Sequence, residues 1–389
     1  MVPHHEEPDR TPGPVPGAQS PLMRGDEFGR HRVLSPAGAL PQAAERLDAE
    51  MDGDGHVYDD EVELDAEILN IDSASFRQIE EAVVAAGVAP AGQDAAIGQV
   101  VLDTVRARGK QHNPVTGSGG MLLGRVRRIG AAVADVVGLG RGLAVGDRVA
   151  TLVSLTTTPL RLERVVAVRR AQHQLEVVGR AVLFATGQLC KLPVDLPEDM
   201  ALAALDVAGA APQVARLARA MGARRVAVLG GGGKSGVLAC AAARAAVGPS
   251  PGGGRVVAIE GGAAYAAQLR ALGLCDEVIV HDARDALGVR DRVLAAAGGE
   301  VDLMVSCVNV PDVEMSAILA TRNGGTVYFF SMATSFTKAA LGAEGVSRDV
   351  TMIIGNGYCP GHAEETVALL RALPAVRALF EARYGRARE

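Results

Sequence analysis

The sequence predicts an α/β protein with two domains, in which a mainly β half precedes a doubly wound parallel sheet. Its length of 389 residues exceeds one ordinary hydrophobic core and suits two domains. The second half alternates short apolar runs with segments of helix formers, and connections of helix length between strands imply a parallel sheet. The first half instead shows the period-two alternation that is typical of half-buried strands.

Composition narrows the possible partners. Hydrophobic residues make up 48% of the chain, which is enough to pack a core in both domains. The formal net charge is −6 at pH 7 and there is no basic cluster, so we do not expect nucleic acid as a partner. Tryptophan is absent and aromatic residues make up 3%, which argues against a surface on which bases stack.

Cysteine usage and hydropathy indicate the compartment. No apolar run reaches the ~18 residues of a membrane helix, and the N-terminus lacks the apolar core of a signal peptide. There is no C-x-x-C pair, and the cysteines are odd in number and far apart, which favours reduced thiols: Cys190, Cys240, Cys275, Cys307 and Cys359. We therefore expect a cytoplasmic protein with no membrane partner.

The chain begins with a segment that we expect to be disordered. Residues 1–24 are rich in proline and charge and cannot bury enough apolar surface to offset the entropy of ordering. His4 and His5 belong to this tail, and we assign them no metal. We expect residues 25–192 to form the mainly β domain and residues 193–389 the domain with the parallel sheet.

The mainly β domain contains a helical insertion. Residues 79–108 predict helices with a break at the proline and glycine of 89–92, and Asn-Pro followed by three glycines predicts a loop at 109–120. Strand-like patterns cover residues 61–70, 121–130, 146–155 and, as short strands, 160–184. Residues 193–220 read as a helical connection to the second domain.

The stretch VAVLGGGGKSG at Val226–Gly236 organises the second domain. It predicts a strand, a tight turn and a helix, with Gly231, Gly233 and Gly236 in the spacing G-x-G-x-x-G. The first glycine allows the turn, the second lets the backbone approach a pyrophosphate, and the third lets helix and strand pack closely. The helix N-terminus at Lys234 and Ser235 would then offer N–H groups to the phosphates. A structural glycine turn is the alternative.

The next predicted strand ends in the acidic residue that a dinucleotide-binding motif requires. RVVAIE at Arg255–Glu260 ends in a carboxylate, and no basic residue follows at Gly261 or Gly262. Glu260 is therefore placed to accept from both ribose hydroxyls, which favours NAD over NADP. NADP stays the less favoured cofactor, and 193–389 is expected to be a dinucleotide-binding Rossmann domain.

Further strands extend this sheet. Apolar or strand-like runs lie at 277–280, 301–308, 326–331 and 350–354, and residues 313–322 read as a helix. Asn309 and Ser331 come at the ends of two of these strands. Since the carboxyl ends of parallel strands face the ligand crevice, both residues are candidate contacts of the nicotinamide end, although ordinary strand-end polar residues are the alternative.

The first half with GDRV at 146–149, followed by a nucleotide-binding half, resembles the zinc-type alcohol dehydrogenase superfamily. HRVLSPAGALPQAA, LNIDSASF, GKQHNPVTGSGGMLLG, ATLVSLTTTPL and NGGTVYFFSMATSF resemble more closely the L-erythro-3,5-diaminohexanoate dehydrogenases, oxidative deaminases of lysine fermentation. The resemblance spans about residues 30–362. It implies a Rossmann sheet plus a GroES-like, alcohol dehydrogenase-type β domain and, by analogy, a homodimer.

One departure from the superfamily bears on metals. Its catalytic zinc is held by a Cys, a Gly-His-Glu motif and a further Cys or Asp, but here Gly119-Gly120-Met121 stands in place of Gly-His-Glu. Only Asp206 falls where the third ligand is expected. A zinc site needs three or four ligands, so we expect no metal. The chain also ends soon after the last predicted strand, whereas in the superfamily the chain usually returns to the β domain after that strand. How the two domains pack is therefore left open.

Oxidation of an amine suits a site without a Lewis acid. A base frees the nitrogen lone pair, hydride passes to the nicotinamide, and the iminium is already electrophilic. We predict Asp72 and Asp206 as candidate bases, with helix caps or structural hydrogen bonds as the alternative. His112 is a candidate proton relay, or a structural loop histidine. The candidate substrate contacts are Ser73, Ser75, Arg77, Lys110, Asn113 and Ser118. Among them, Lys110 or Arg77 would supply the cation that binds the carboxylate of the substrate.

The resemblance implies one reaction. It is the NAD-dependent oxidative deamination of (3S,5S)-3,5-diaminohexanoate to (S)-5-amino-3-oxohexanoate and ammonia. A zinc-free, NADPH-dependent quinone or enoyl reductase is an alternative, but such a site expects an apolar pocket. A non-catalytic dinucleotide-binding regulator is a third hypothesis, which predicts binding of NAD without turnover.

Overall fold

A computed structural model describes residues 23–52, 57–113, 119–133, 142–249, 252–331, 333–355 and 357–385. The chain divides into two compact units, Met1–Lys191 and Leu192–Glu389. Most of the tail that we expected to be disordered, including His4 and His5, lies outside the described residues, and so does Ser118. No helix in the described residues is both long enough and apolar enough to cross a membrane.

The unit Met1–Lys191 is built on a six-stranded antiparallel sheet. Its strands are β3 (Val62–Asn70), β4 (Met121–Ile129), β5 (Arg148–Thr151), β6 (Leu160–Arg169), β7 (Gln174–Leu183) and β8 (Leu189–Lys191). They lie in the order β6-β7-β3-β4-β5-β8. A separate two-stranded ribbon joins β1 (Val33–Ser35) and β2 (Arg46–Leu47). The short strands expected over 160–184 are in fact two long ones, because β6 and β7 pair along their whole length.

The predicted helical insertion lies between β3 and β4. It consists of α1 (Ser73–Ala85), a 3-10 turn at Pro90–Gly92, and α2 (Gln93–Arg108). Helix α1 begins six residues before the predicted Ile79, since Asp72 caps its first turn. Helix α2 buries an apolar stripe against the sheet and ends at Gly109, whose φ of 65° is left-handed. A Cβ on Gly109 would lie 2.1 Å from the Leu47 carbonyl oxygen, so glycine is required there.

The unit Leu192–Glu389 contains the parallel six-stranded sheet. Its strands are β9 (Arg225–Leu229), β10 (Arg255–Glu260), β11 (Glu277–Val280), β12 (Val301–Ser306), β13 (Thr321–Phe329) and β14 (Val350–Ile354). Their order, β11-β10-β9-β12-β13-β14, reverses direction between β9 and β12. That reversal is the switch point at which doubly wound sheets bind ligands. The predicted fold class is confirmed.

Helices precede, connect and follow these strands. They are α3 (Glu198–Leu205), α4 (Ala210–Ala220), α5 (Lys234–Val247), α6 (Ala263–Ala271), α7 (Ala286–Ala297), α8 (Glu314–Ala320), α9 (Phe336–Gly345), α10 (His362–Ala372) and α11 (Pro374–Tyr384). The helix expected over 193–220 is divided at 206–209, where a Cβ on Gly209 would lie 2.3 Å from the Gly357 carbonyl oxygen. The helix expected over 313–322 stops at Ala320, because the chain enters β13 at Thr321.

The core of this unit runs through its central strands. In β9, the residues after Arg225 are buried without exception, and in β12 only Asp302 is partly exposed. Such continuous apolar runs are expected for strands covered on both faces. After β14, helices α10 and α11 pack on α3, two elements that the sequence pattern did not predict.

Candidate functional site

The glycine-rich turn follows β9 at the switch point. Gly230 has a left-handed φ of 80°, and α5 begins at Lys234 with Gly233 as a cap that provides no side-chain hydrogen bond. A Cβ on Gly236 would lie 2.0 Å from the Gly230 carbonyl oxygen, so the third glycine is needed for the helix to pack on the turn. The uncapped N–H groups of α5 fit a phosphate in size and charge.

Glu260 ends β10 beside this turn. Its Oε2 accepts from the Gly232 N–H at 2.9 Å and its Oε1 from the Gly262 N–H at 3.0 Å. Two backbone donors thus fix the carboxylate, while each oxygen keeps a lone pair for another donor. This is the placement that an acceptor for ribose hydroxyls requires. The residues present therefore fit a dinucleotide, and a contact of Glu260 with the ribose stays a prediction.

Asp206 lies at the same edge of this unit. It follows α3, and its Oδ2 accepts from the Lys234 Nζ at 2.6 Å. The side chains are 36% and 33% exposed, so water screens the pair and its contribution to stability is at most about 1 kcal/mol. The structure therefore brings a predicted base next to a predicted cofactor contact.

Asn309 and Ser331 follow the neighbouring strands β12 and β13. The Ser331 N–H donates to the Ser306 carbonyl at 3.1 Å, and the Ser331 hydroxyl accepts from the Ala333 N–H at 3.2 Å. Asn309 is exposed. Both lie at the carboxyl edge of the sheet, as predicted from the strand ends, and their contacts with a cofactor stay untested.

Cys307 is the first residue after β12. Burial raises the pKa of its thiol to about 12, against the lowering effect of a hydrogen bond with Ser235. A raised pKa favours the neutral thiol over the thiolate, which is the nucleophilic form.

In the unit Met1–Lys191, a hydrogen-bonded cluster surrounds the start of α1. The Asp72 Oδ1 accepts from the Ser75 N–H at 2.9 Å, and its Oδ2 from the Ser75 hydroxyl at 2.5 Å. The Asn113 amide donates to the Ser75 Oγ at 2.9 Å and to the Gln78 Oε1 at 3.0 Å. Asp72 is thus the N-cap of α1, which is the structural alternative to a catalytic base. Each of its two oxygens accepts one hydrogen bond from Ser75.

The same cluster brings together three predicted site residues, Asp72, Ser75 and Asn113. Ser73 is the first residue of α1, and nothing further is described of its side chain. Gln78 was missed by sequence reasoning, although its position one helical turn after Ser75 was a usable signal.

Lys110 is fully buried and bound to backbone. Its Nζ donates to the Pro41 carbonyl at 2.7 Å and to the Gln42 carbonyl at 3.4 Å. Burial, with a smaller effect of Arg108, lowers the pKa of Lys110 to about 8. Because the side chain is fully buried and its Nζ is bound to backbone carbonyls, a structural role is what these contacts describe, and a contact with a substrate carboxylate stays a prediction.

His112 is half-buried next to these groups. Burial lowers its pKa, and the positive charges of Lys110 and Arg108 lower it further. Its Nδ1 is buried and has no hydrogen-bond partner within the described ranges. The unpartnered ring nitrogen could take a proton, but burial and the two cations oppose the charged imidazolium, so the relay role stays a prediction.

Arg77 is exposed on α1. It lines a cavity of about 420 Å³ together with residues of α1, α2 and the turn after β6, among them Glu80, Gln93 and Arg170. No described residue forms an ion pair with Arg77. Its guanidinium is therefore available for an anionic group.

The residues present do not fit the superfamily's zinc. Gly120 has a φ of 89°, and a Cβ there would lie 2.1 Å from the Asn70 carbonyl oxygen and 2.7 Å from the Ile71 Cα. No side chain can therefore occupy the position of the zinc-binding histidine. Across the described part of the chain, no three His, Cys, Asp or Glu side chains are grouped to hold a metal ion.

A glycine turn at the switch point, an acid after the second strand and an accompanying antiparallel β unit define a dinucleotide-binding dehydrogenase fold. A solved alcohol dehydrogenase from Thermotoga maritima has the same fold, with a TM-score of 0.51 at 12% identity, over 85% of this chain and 86% of that one.

Relatives of similar length place the chain within this class. Residues 31–193 match the family model of the L-erythro-3,5-diaminohexanoate dehydrogenase N-terminal domain. The L-erythro-3,5-diaminohexanoate dehydrogenase of Acetoanaerobium sticklandii is 47% identical over 93% of this chain and 100% of its own length. The enzyme of the same name from Fusobacterium nucleatum is 44% identical over the same shares. The chain belongs to the L-erythro-3,5-diaminohexanoate dehydrogenase family.

Proposed function

We propose that this protein catalyses the NAD-dependent oxidative deamination of (3S,5S)-3,5-diaminohexanoate to (S)-5-amino-3-oxohexanoate and ammonia. The observation that carries the proposal is a cradle of backbone N–H groups and Glu260 that fits a dinucleotide, in a chain 47% identical to an enzyme of that name. A dinucleotide supplies the hydride acceptor when it is bound.

The reaction needs a base and then water. The base takes a proton from the substrate ammonium and frees the nitrogen lone pair, so that hydride can leave the neighbouring carbon. The resulting iminium carbon takes up water, and loss of ammonia from the adduct leaves the ketone. The balanced reaction consumes one dinucleotide and one water, and it releases one ammonium and one proton.

Asp72 and Asp206 remain the two candidates for the base. Asp72 accepts from Ser75 through both oxygens, and Asn113, which donates to Ser75, directly follows His112 in the sequence. Asp206 is held by Lys234. Either carboxylate would also attract the substrate's ammonium groups, whereas Lys110 or Arg77 would bind its carboxylate.

NAD is the preferred cofactor in this proposal, because Glu260 offers lone pairs to the ribose hydroxyls and would repel a 2′-phosphate. Family analogy supports a homodimer, which light scattering on the purified protein tests. The five cysteines are free thiols in the structure, which is consistent with a reducing, cytoplasmic location.

The test is absorbance at 340 nm with NAD and 3,5-diaminohexanoate, ammonia measured in parallel, and a chelator control. NADH and ammonia in equal amounts, undiminished by chelator, are the expected result. If this substrate yields no NADH, and an enone or quinone causes consumption of NADPH, the protein is a reductase and the proposal is wrong. If the protein binds NAD but shows no turnover in either assay, the hypothesis of a non-catalytic dinucleotide-binding regulator is the one that remains.

A further inference from the structure

The C-terminal helix α11 brings an arginine to the glycine-rich turn. The Arg383 Nη1 donates to the Gly232 carbonyl oxygen at 2.6 Å across 151 positions of sequence. Its Nε donates to the Gln268 Oε1 at 2.8 Å, and its Nη2 donates to the same oxygen. The guanidinium carbon lies 4.6 Å from the centre of the Tyr265 ring, a cation–π distance.

One glycine is therefore held between opposite charges. The Gly232 N–H donates to Glu260, and its carbonyl accepts from Arg383. Both charged groups thus contact the same residue, through the two peptide groups that flank its Cα, at the point where the adenosine ribose of a dinucleotide is expected. This cation comes from the far end of the chain, so the sequence around Glu260 gave no sign of it.

The guanidinium retains donors for a ligand. Arginine carries five N–H groups, and three of those on Arg383 donate to Gly232 and Gln268. The remaining two have no acceptor among the residues that the structure describes.

We propose that Arg383, fixed by Tyr265 and Gln268, forms a subsite for the 2′-phosphate of the dinucleotide, so that the protein accepts NADP(H) as well as NAD(H). Glu260 favours the unphosphorylated ribose, and Arg383 offsets its repulsion of a phosphate. A planar guanidinium held on two sides binds phosphate through a paired fork of N–H groups. The inference rests on the dinucleotide site of the proposed function and concerns its specificity.

The first test uses the unmodified protein. Titration calorimetry compares 2′,5′-ADP with 5′-AMP, and NADPH with NADH. We expect 2′,5′-ADP and NADPH to bind measurably, although more weakly than 5′-AMP and NADH because Glu260 favours the unphosphorylated ribose. Binding of NADH and 5′-AMP alone would overturn the subsite while leaving the proposed function intact. Failure of all four ligands to bind would remove the dinucleotide assignment itself.

The second test uses Arg383→Gln, Arg383→Lys and Glu260→Gln, with folding checked by circular dichroism. Arg383→Gln should raise the Kd of NADPH by about 10-fold or more, from the usual strength of hydrogen bonds to charged groups, and that of NADH by less than about 3-fold. Arg383→Lys should recover part of the NADPH binding, because it keeps the charge without the fork. Glu260→Gln should tighten NADPH. An equal loss of both cofactors in Arg383→Gln would show that Arg383 only holds the turn.

Discussion

The two units build their candidate sites in opposite ways. In Leu192–Glu389, the turn after β9 is built from backbone, with glycines whose missing side chains make room. In Met1–Lys191, the cluster at the start of α1 is built from side chains, and Asp72, Ser75 and Asn113 are held by one another. A backbone site tolerates almost no added atom, whereas a side-chain site tolerates changes of shape and responds to changes of charge.

The sharpest test of this contrast is Asp72→Asn. Asparagine caps a helix about as well as aspartate, so we expect little change in the free energy of unfolding. If Asp72 is the base, kcat should fall by about 10²–10⁴-fold, the usual contribution of general base catalysis.

Asp206→Asn is the matched variant for this test, since it removes the other candidate carboxylate. The carboxylate whose loss lowers kcat without lowering the melting temperature is the base. If both variants retain full kcat, neither carboxylate is the base, and His112 becomes the residue to examine.

Gly236→Ala should break the backbone site. Its Cβ would lie 2.0 Å from the Gly230 carbonyl oxygen and 2.7 Å from the Gly231 Cα, and no rotamer can relieve a contact with backbone. We expect about 1–3 kcal/mol of destabilisation, as for other overpacked sites, with NADH binding weakened at least 10-fold in fluorescence titration.

Gly345→Ala is its control. It lies at the end of α9 with nothing within 4 Å of its Cβ, so urea unfolding should show an unchanged or slightly higher midpoint. Equal behaviour of the two variants would contradict the backbone account of the turn.

Lys110, a buried side chain of the same unit, should make the stability of the protein depend on pH. Because its pKa in the folded protein is lowered to about 8 from 10.5, the unfolded chain binds more protons between these values. Stability contributed by this group should therefore rise as pH increases from about 8 to 10.5, and urea midpoints across that range should record the rise.

Lys110→Met should remove this rise, whereas Lys191→Met, which changes a half-exposed lysine paired with Asp147, should keep it. The same slope in wild type and Lys110→Met would assign the pH dependence to other groups.

The smallest effect is expected for Lys234→Gln. In the proposed site, the α5 N-terminus would bind phosphate through backbone N–H groups, and the ion pair with Asp206 is one-third exposed. We expect a loss of at most about 1 kcal/mol of stability and less than a 10-fold increase in the Kd of NADH. A loss of binding greater than 100-fold would mean that a side chain, not the backbone, holds the phosphates.

The parallel sheet was predictable because each of its strands is a local apolar run between helix formers. The same reasoning located Glu260 and the glycine turn, which lie close together because β9 and β10 are adjacent. The antiparallel unit was less predictable. The extent of β6 and β7 depends on their pairing with each other, and the early start of α1 depends on a single capping carboxylate.

The amino-acid sequence alone determined the strands of the parallel sheet, the spacing of the glycines and the absence of a histidine at Gly120. Each is a local property of neighbouring residues. Only the tertiary structure decided that Asn113 bonds Ser75 across 38 positions, that Lys110 bonds the carbonyl of Pro41, and that Arg383 reaches Gly232. These contacts depend on how distant segments pack, and no local periodicity encodes that.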